Sequence, residues 1–350
     1  MNLASLLRAG RKFNASDIHV VVNIPPIFRI DGQIVTSKGE AFTKESAKAL
    51  AYECLNADQK QRLEKDLMLC FSTQMDGTER ARVTVYFRNG CPELSIRLSE
   101  SAIRTRQELG LPEIVDEFAR KPSGLVIITG PTGVGKTTTF HYMIDLINAD
   151  NRYKIVTIED PVEYVHSFKR SIVIQQEVLS DVRDFYHALI HVLRQDPDVI
   201  GIGEMRDQET IHTALMAAET GHLVIATLHT PSTTELLQRL VSAFPEGRQS
   251  EIRFMLANTF QGAIAQQLLP KATGKGRVLC YEVLVGTPAV RKHIRENETH
   301  LIYNELQQGQ THSMITMDHH LLDLYQQGEI TYDVAVNMAR YPDAIRERSA

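Results

Sequence analysis

The run Gly130-Pro-Thr-Gly-Val-Gly-Lys136-Thr137 constrains this chain more than any other feature. It matches G-x-x-x-x-G-K-[ST], a glycine-rich loop that must follow a strand and open a helix. By chance the pattern occurs in about one chain in a hundred of this length, so its context decides. The context fits: Leu125–Thr129 is a short apolar run, and Thr137–Ile147 reads as a helix. Glycines let backbone N–H groups curl around a phosphate, and the helix start adds positive potential. Gly130, Pro131, Thr132, Gly133, Val134, Gly135, Lys136, Thr137 and Thr138 are therefore the candidate nucleotide-binding set. In it Lys136 reaches the β- and γ-phosphates, and the Thr137 hydroxyl ligates Mg²⁺.

Further along, three segments place acids and histidines at strand ends. Ile158-Glu-Asp-Pro-Val-Glu163 puts Glu159, Asp160 and Glu163 where ligands bind in parallel sheets. One such acid can activate the attacking water, and others can reach the hydrated Mg²⁺. Asp198-Val-Ile-Gly-Ile-Gly-Glu204 has the form of a Walker B strand, although its glycines pack poorly in a sheet. On the residues alone, Glu163 and Glu204 compete as catalytic base. His222 and His229 flank the strand Leu223–Thr227 and are candidate γ-phosphate sensors. Arg82, Arg88 and Arg97, earlier in the chain, are candidate arginine fingers.

The organisation is two-part. Residues 1–98 mix helices and strands: an amphipathic helix at Leu3–Phe13, strands at Ile18–Val22 and Ile27–Ile30, a turn at Asp31–Gly32, and helices at Lys44–Leu55 and Asp58–Asp66. Strands at Arg82–Phe87 and Glu93–Leu98 close that domain. The polar stretch Ser99–Leu109 reads as a linker, and 99–112 as the hinge between domains. From residue 113 strands alternate with helices, which implies a parallel sheet covered on both faces. After residue 233 the pattern predicts mostly helix.

Composition narrows the function. Net charge is −5, with no basic stripe, so nucleic acid is not an expected partner. Cys54, Cys70, Cys91 and Cys280 form no CxxC pair, so zinc-site spacing is absent. The N-terminus lacks a secretory signal, and no apolar run approaches the ~20 residues that cross a bilayer. A cytoplasmic chain follows, meeting membranes only through partners.

Taken together, these motifs resemble the secretion and pilus ATPase superfamily, and within it the type IV pilus retraction ATPases (PilT-like). The resemblance spans nearly the whole chain. Ala15-Ser-Asp17-Ile-His19, Pro25-Pro26 and Arg29-Ile-Asp-Gly32 look like the opening of the family's PAS-like domain. Arg82–Arg88 resembles its arginine-bearing strand, and Ile158–Glu163 its Asp box. Arg194–Ile200, Gly203–Asp207, Ala217–His222 and Ala226–His229 match closely, the last two forming the His box. Ala289-Val-Arg-Lys-His-Ile294 keeps Ala289, Arg291 and Ile294 of the retraction branch's AIRNLI motif. Val134 and Thr137 replace serines usual in the P-loop, and Gln176 stands where arginine is usual.

The resemblance implies an N-terminal PAS-like α/β domain and a C-terminal RecA-like P-loop ATPase domain with a helical C-terminal region. It implies Glu163 as the base and Glu204 as the Walker B acid, near Mg²⁺ through water. It implies a homo-hexamer that hydrolyses MgATP, turns an inner-membrane platform protein and powers pilus retraction. An accessory (PilU-like) retraction ATPase, working with a second motor, and a secretion or conjugative-transfer ATPase are the alternatives within the superfamily. A non-hydrolysing nucleotide-binding scaffold is the alternative of another class.

Overall fold

The computed structural model describes residues 2–30, 32–74, 80–98 and 103–349. Asp31 of the expected turn and residues 99–102 of the expected linker lie outside them. The chain divides into two units: Met1–Ile103 with Pro161–Val165, and Arg104–Asp160 with His166–Ala350.

In the first unit, Asn2 caps helix α1 (Leu3–Lys12) by accepting from the Ser5 N–H. Leu3, Leu6, Leu7 and Gly10, spaced i, i+3, i+4, i+7, are its buried residues. Gly10 lets the helix sit close to the sheet, because a Cβ would lie 2.7 Å from Ile18 Cδ1 and 2.8 Å from Leu98 Cδ1 and push those side chains aside. Strands β1 (Asp17–Val20), β2 (Ile27–Ile30) and β3 (Gln33–Thr36) precede helices α2 (Lys44–Glu53) and α3 (Ala57–Asp66). Thr43 and Ser46 form a capping box on α2. Strands β4 (Met68–Gln74), β5 (Arg80–Arg88) and β6 (Cys91–Leu98) complete an antiparallel sheet of order β3-β2-β1-β6-β5-β4. Ile18, Val83, Val85, Leu94 and Ile96 are buried with Leu6 and Leu50 in one core. Strand alternation puts Asp17, His19, Arg82, Thr84, Ser95 and Arg97 on the other face.

The second unit starts with α4 (Arg106–Leu109) and α5 (Ile114–Ala119). The sequence reads α4 as linker, but Thr105 and Glu108 form a capping box on it. Arg106 bonds Leu111 O, Glu113 and, at 3.4 Å, Asp116, which fixes this stretch within the second unit. Then come β7 (Gly124–Thr129), α6 (Lys136–Asp150), β8 (Lys154–Glu159), β9 (Ile172–Glu177), α7 (Phe185–Val192), β10 (Val199–Ile202), α8 (Gln208–Glu219) and β11 (Leu223–Leu228). Helices α9 (Thr233–Ser242) and α10 (Glu246–Thr259) follow.

The tail after residue 233 is mostly helical, as the pattern predicts, but it also holds a hairpin that the pattern does not predict. Strands β12 (Phe260–Pro270) and β13 (Arg277–Val285) form a hairpin that joins the sheet beside β7. The order is β13-β12-β7-β11-β10-β8-β9, parallel except for β13. Gly262–Gln266 are all buried, so β12 shows no period-two alternation and reads like helix. Five helices end the chain: α11 (Pro288–Arg295), α12 (Ile302–Gln308), α13 (Met317–Gln326), α14 (Tyr332–Met338) and α15 (Pro342–Ser349).

Both faces of this sheet are covered. Leu125, Ile127, Ile200 and Ile202 join α7, α8 and α10 in one core. On the opposite face Phe140 of α6 lies over Gly201, where a Cβ would stand 2.7 Å from its ring. Gly201 therefore does not weaken β10; it lets α6 approach closely enough to bury Phe140, worth about 1.5–3 kcal/mol.

Candidate active site

The loop between β7 and α6 has the shape its glycines predict. Gly130, Gly133 and Gly135 have φ of 143°, 82° and 92°, which residues with a Cβ rarely adopt. A Cβ on Gly130 would sit 2.4 Å from Gln266 O of β12, whereas one on Gly133 would meet nothing within 4 Å. The loop is thus pressed against the sheet at its start and open at its middle. Helix α6 has no side-chain cap and no acid in its first turn. Its leading N–H groups and partial positive charge are left for an anion, which is the fit a triphosphate requires.

Lys136 is buried and folds back over this loop. Its Nζ donates to Gly130 O and Pro131 O, each at 2.8 Å, and lies 3.2 Å from His229 Nδ1. Burial pulls the ammonium pKa down, and the Glu204 charge opposes that. His229 Nε2 in turn lies 3.2 Å from Glu204 Oε1, and Arg206 donates to Glu204 Oε2 at 2.7 Å. Burial pushes the Glu204 carboxyl up, but Arg206 and His229 outweigh it and hold it below the usual range. Arg206 is raised by its bond to Glu204, with Asp160 contributing further. Thr129 Oγ1, at the end of β7, accepts from Thr230 N at 2.9 Å and so ties the His229 loop to the P-loop strand.

The structure thus brings Lys136, Glu204 and His229 together, with Thr137 and Thr138 in the first turn of the same helix. His222 does not join them. It precedes β11 at the edge where Leu223 pairs with Gly124, while the P-loop leaves the opposite edge, where Leu228 pairs with Thr129. About 20 Å of strand intervenes, so His222 is not a phosphate sensor for this chain's own P-loop. Its Nδ1 is instead engaged by Ala217 O at 2.9 Å.

Glu159 also departs from its expected role near the metal. It is buried, accepting from Thr157 Oγ1 at 2.6 Å and Gln175 Nε2 at 3.0 Å, and it faces His141 Nε2 at 3.2 Å. Asp160 is exposed at the edge of the second unit. Glu163 is half-buried within Pro161–Val165, which groups with the first unit.

In the first unit, Arg29, Asp17, Arg97, Arg82 and Ser72 stand opposite one another on successive strands, so they form one row on the polar face. Asp17 pairs with Arg97 at 3.0 Å and with Arg29 at 3.8 Å, and Arg82 Nε lies 3.1 Å from Cys70 Sγ. Arg88 is committed to buried Glu93 through bonds of 2.9 and 2.6 Å, and Glu93 also accepts from Val22 N. The pair occupies Nε and Nη2, so only the remaining N–H groups of Arg88 are left for a phosphate while it holds. Arg206, Thr129 and Gln266 are not singled out by the motifs. Arg206 lies two residues beyond Glu204. Thr129 is simply the end of a strand, and Gln266 carries no signal because its strand lacks alternation.

The model for the family described as "Type II/IV secretion system protein" matches residues 6–334. The type IV pilus retractation ATPase PilT of Pseudomonas aeruginosa is 39% identical over 343 residues, covering 98% of this chain and 99% of that protein. The type IV pilus ATPase PilU of the same organism is 35% identical over 346 residues, 99% of this chain and 91% of its own. A crystal structure of the pilus retraction motor PilT with bound ADP superimposes with a TM-score of 0.92 at 40% identity, covering 99% of each chain.

Proposed function

The chain belongs to the type II/IV secretion system protein family, and from that membership we propose that it is the ATP-hydrolysing motor of type IV pilus retraction, working as a homo-hexamer. The observation that carries the nucleotide chemistry is the Lys136–His229–Glu204 cluster over an uncapped helix start. An arriving triphosphate supplies better acceptors than Gly130 O and Pro131 O, so Lys136 turns from the loop to the phosphates. That releases His229 Nδ1 and lets the imidazole respond to the nucleotide.

The residues also fit Mg²⁺, which Thr137 and Glu204, the latter through water, would hold; when bound it neutralises phosphate charge. Glu204 is kept ionised for this by Arg206 and His229. Glu163 accepts the proton of the attacking water, and Arg82 and Arg97 supply positive charge to the nucleotide. The hinge role falls to the 99–112 segment, of which Arg106–Leu109 is fixed to the second unit. No described helix is long and apolar enough to cross a membrane. The motor works from the cytoplasm, peripheral to the inner membrane, by acting on a platform protein.

Similarity to PilU supports a second reading, an accessory motor that works beside another retraction ATPase. One experiment separates these. Steady-state ATP hydrolysis by the purified chain is measured with ring mass from light scattering, and retraction is scored in cells lacking every retraction ATPase. A hexamer that turns over and restores retraction alone supports the main reading. Turnover with retraction only beside a second motor supports the accessory one. A chain that binds ATP without turnover in an assembled ring sinks both.

A further inference from the structure

The P-loop helix carries a polar stripe that the nucleotide chemistry does not use. His141, Asp145 and Asn148 are spaced i, i+4, i+7 and so share one face of α6. This face grips the chain as it returns from Glu163. His141 Nδ1 lies 2.9 Å from His166 Nε2, and Asp145 bonds Lys169 Nζ at 2.8 Å. Asn148 donates to Ser167 O at 2.8 Å, and its backbone carbonyl accepts from Arg170 N at 2.9 Å.

The outgoing end is held by the same groups. Glu159, the last residue of β8, faces His141 Nε2 at 3.2 Å. Gln175 of β9 makes a second link: its Oε1 accepts from His166 N at 2.9 Å, and its Nε2 donates to Glu159 Oε1 at 3.0 Å. Glu159 and His166 are thus joined twice, through His141 and through Gln175. Between them runs a six-residue excursion, 160–165, with Glu163 near its middle. His141 is fully buried, and Glu159 and His166 are 3% and 6% exposed. Buried polar groups paired in this way resist rearrangement, because a shift costs a hydrogen bond that water is not there to replace. Burial raises the Glu159 carboxyl, yet His141, Thr157 and Gln175 bring it below the ordinary range.

We propose that His141 and Gln175 are positioning residues for hydrolysis: their double clasp of Glu159 to His166 fixes the base of the Glu163 excursion and anchors it to the P-loop helix. The proposal rests on the reading of Glu163 as the base that accepts the water's proton. A shift of about 1 Å at such a group can cost 10²-fold in rate without altering substrate binding.

The test uses the full chain as a ring and measures kcat, KM for ATP, binding of a fluorescent ATP analogue, and ring mass. Gln175→Leu breaks one link and leaves Glu159 its bonds to His141 and Thr157, so it is the variant that folds most safely. Gln175→Leu should lower kcat about 3- to 10-fold, and His141→Leu with Gln175→Leu about 100-fold, with KM and analogue binding changed less than twofold. His141→Gln, which keeps a donor and an acceptor, should restore most of the His141→Leu loss. In a Glu163→Gln background, Gln175→Leu should cost nothing further in single-turnover rate, since it acts through Glu163. The clasp is overturned if Gln175→Leu keeps wild-type kcat, if its loss multiplies with that of Glu163→Gln, or if KM rises in step with the fall in kcat. If Glu163→Gln itself keeps full turnover, the base assignment has failed and the proposal with it. A dead Glu163→Gln beside a fully active Gln175→Leu sinks the clasp alone.

Discussion

Lys136 and Glu204 meet on opposite nitrogens of one imidazole: Lys136 Nζ is 3.2 Å from His229 Nδ1, and Glu204 Oε1 is 3.2 Å from Nε2. An ammonium can only donate and a carboxylate can only accept, so the pattern assigns the proton to Nε2. Lys136→Ala removes the cation from the loop and is expected to abolish ATP-analogue binding. His229→Ala is expected to keep binding within threefold while lowering kcat by about 10²–10³-fold, the scale of one lost polar contact to developing charge. Equal losses in binding from both variants would show that His229 serves binding, not turnover.

Gly130→Ala tests the loop itself. Its φ of 143° and the 2.4 Å approach to Gln266 O leave no room for a methyl group. The strain of about 1–3 kcal/mol falls on the loop and not on the core. The variant should stay folded by circular dichroism, with melting lowered by a few degrees, and lose nucleotide binding. Retention of wild-type affinity would mean that β12 yields and that its contact does not shape the loop.

His320 predicts acid sensitivity. It is largely buried, with Nδ1 accepting from Tyr281 N at 3.0 Å, and burial lowers its pKa from 6.5 to about 4, against Asp323 and with His319. The neutral form is native, so the unfolded chain binds the extra proton. Stability is therefore full above pH 6.5 and declines as pH falls toward 4, by roughly 3 kcal/mol at most. His320→Gln keeps an acceptor that does not titrate. Denaturant midpoints between pH 7 and 4.5 should slope less steeply for it than for the wild type. Parallel slopes would remove His320 from the explanation.

Arg291 gives the Ala289–Ile294 motif a physical role. Its guanidinium reaches Gly286 O at 2.9 Å, Asn258 O at 3.2 Å and Gln261 Oε1 at 3.2 Å, joining α11 to the end of α10 and the start of β12. Lysine carries the charge but not the planar fork. Arg291→Lys should lower stability by about 1–2 kcal/mol, read as a shift in denaturant midpoint at unchanged slope. No shift would mean that the charge alone suffices.

Legibility followed how local each feature is. The P-loop, α2 with its Thr43 cap and the apolar strands β7, β8, β10 and β11 announce themselves within a few residues. Features set by tertiary contacts stayed hidden. Strand β3 is exposed along its length and lacks alternation, whereas β12 is buried on both faces and lacks it for the opposite reason. His222 and His229 look equivalent as flanks of one strand, yet parallel pairing sends them to opposite edges of the sheet. Among the acids, sequence placed Glu159, Asp160 and Glu163 in one box. It did not show that Glu159 is buried against His141, because that partner comes from a different element.

The contact of Gly130 with Gln266 also sets an order of events during synthesis. Strand β7 finds its two neighbours only in β11, about 100 residues later, and in β12, later still. Closing such long loops is slow compared with forming local helices. While ribosomes deliver the chain N-terminus first, the nucleotide loop emerges long before the strand that shapes it. A nascent chain truncated before Phe260 therefore carries the phosphate-binding motif complete in letters but without the β12 backbone against which Gly130 packs.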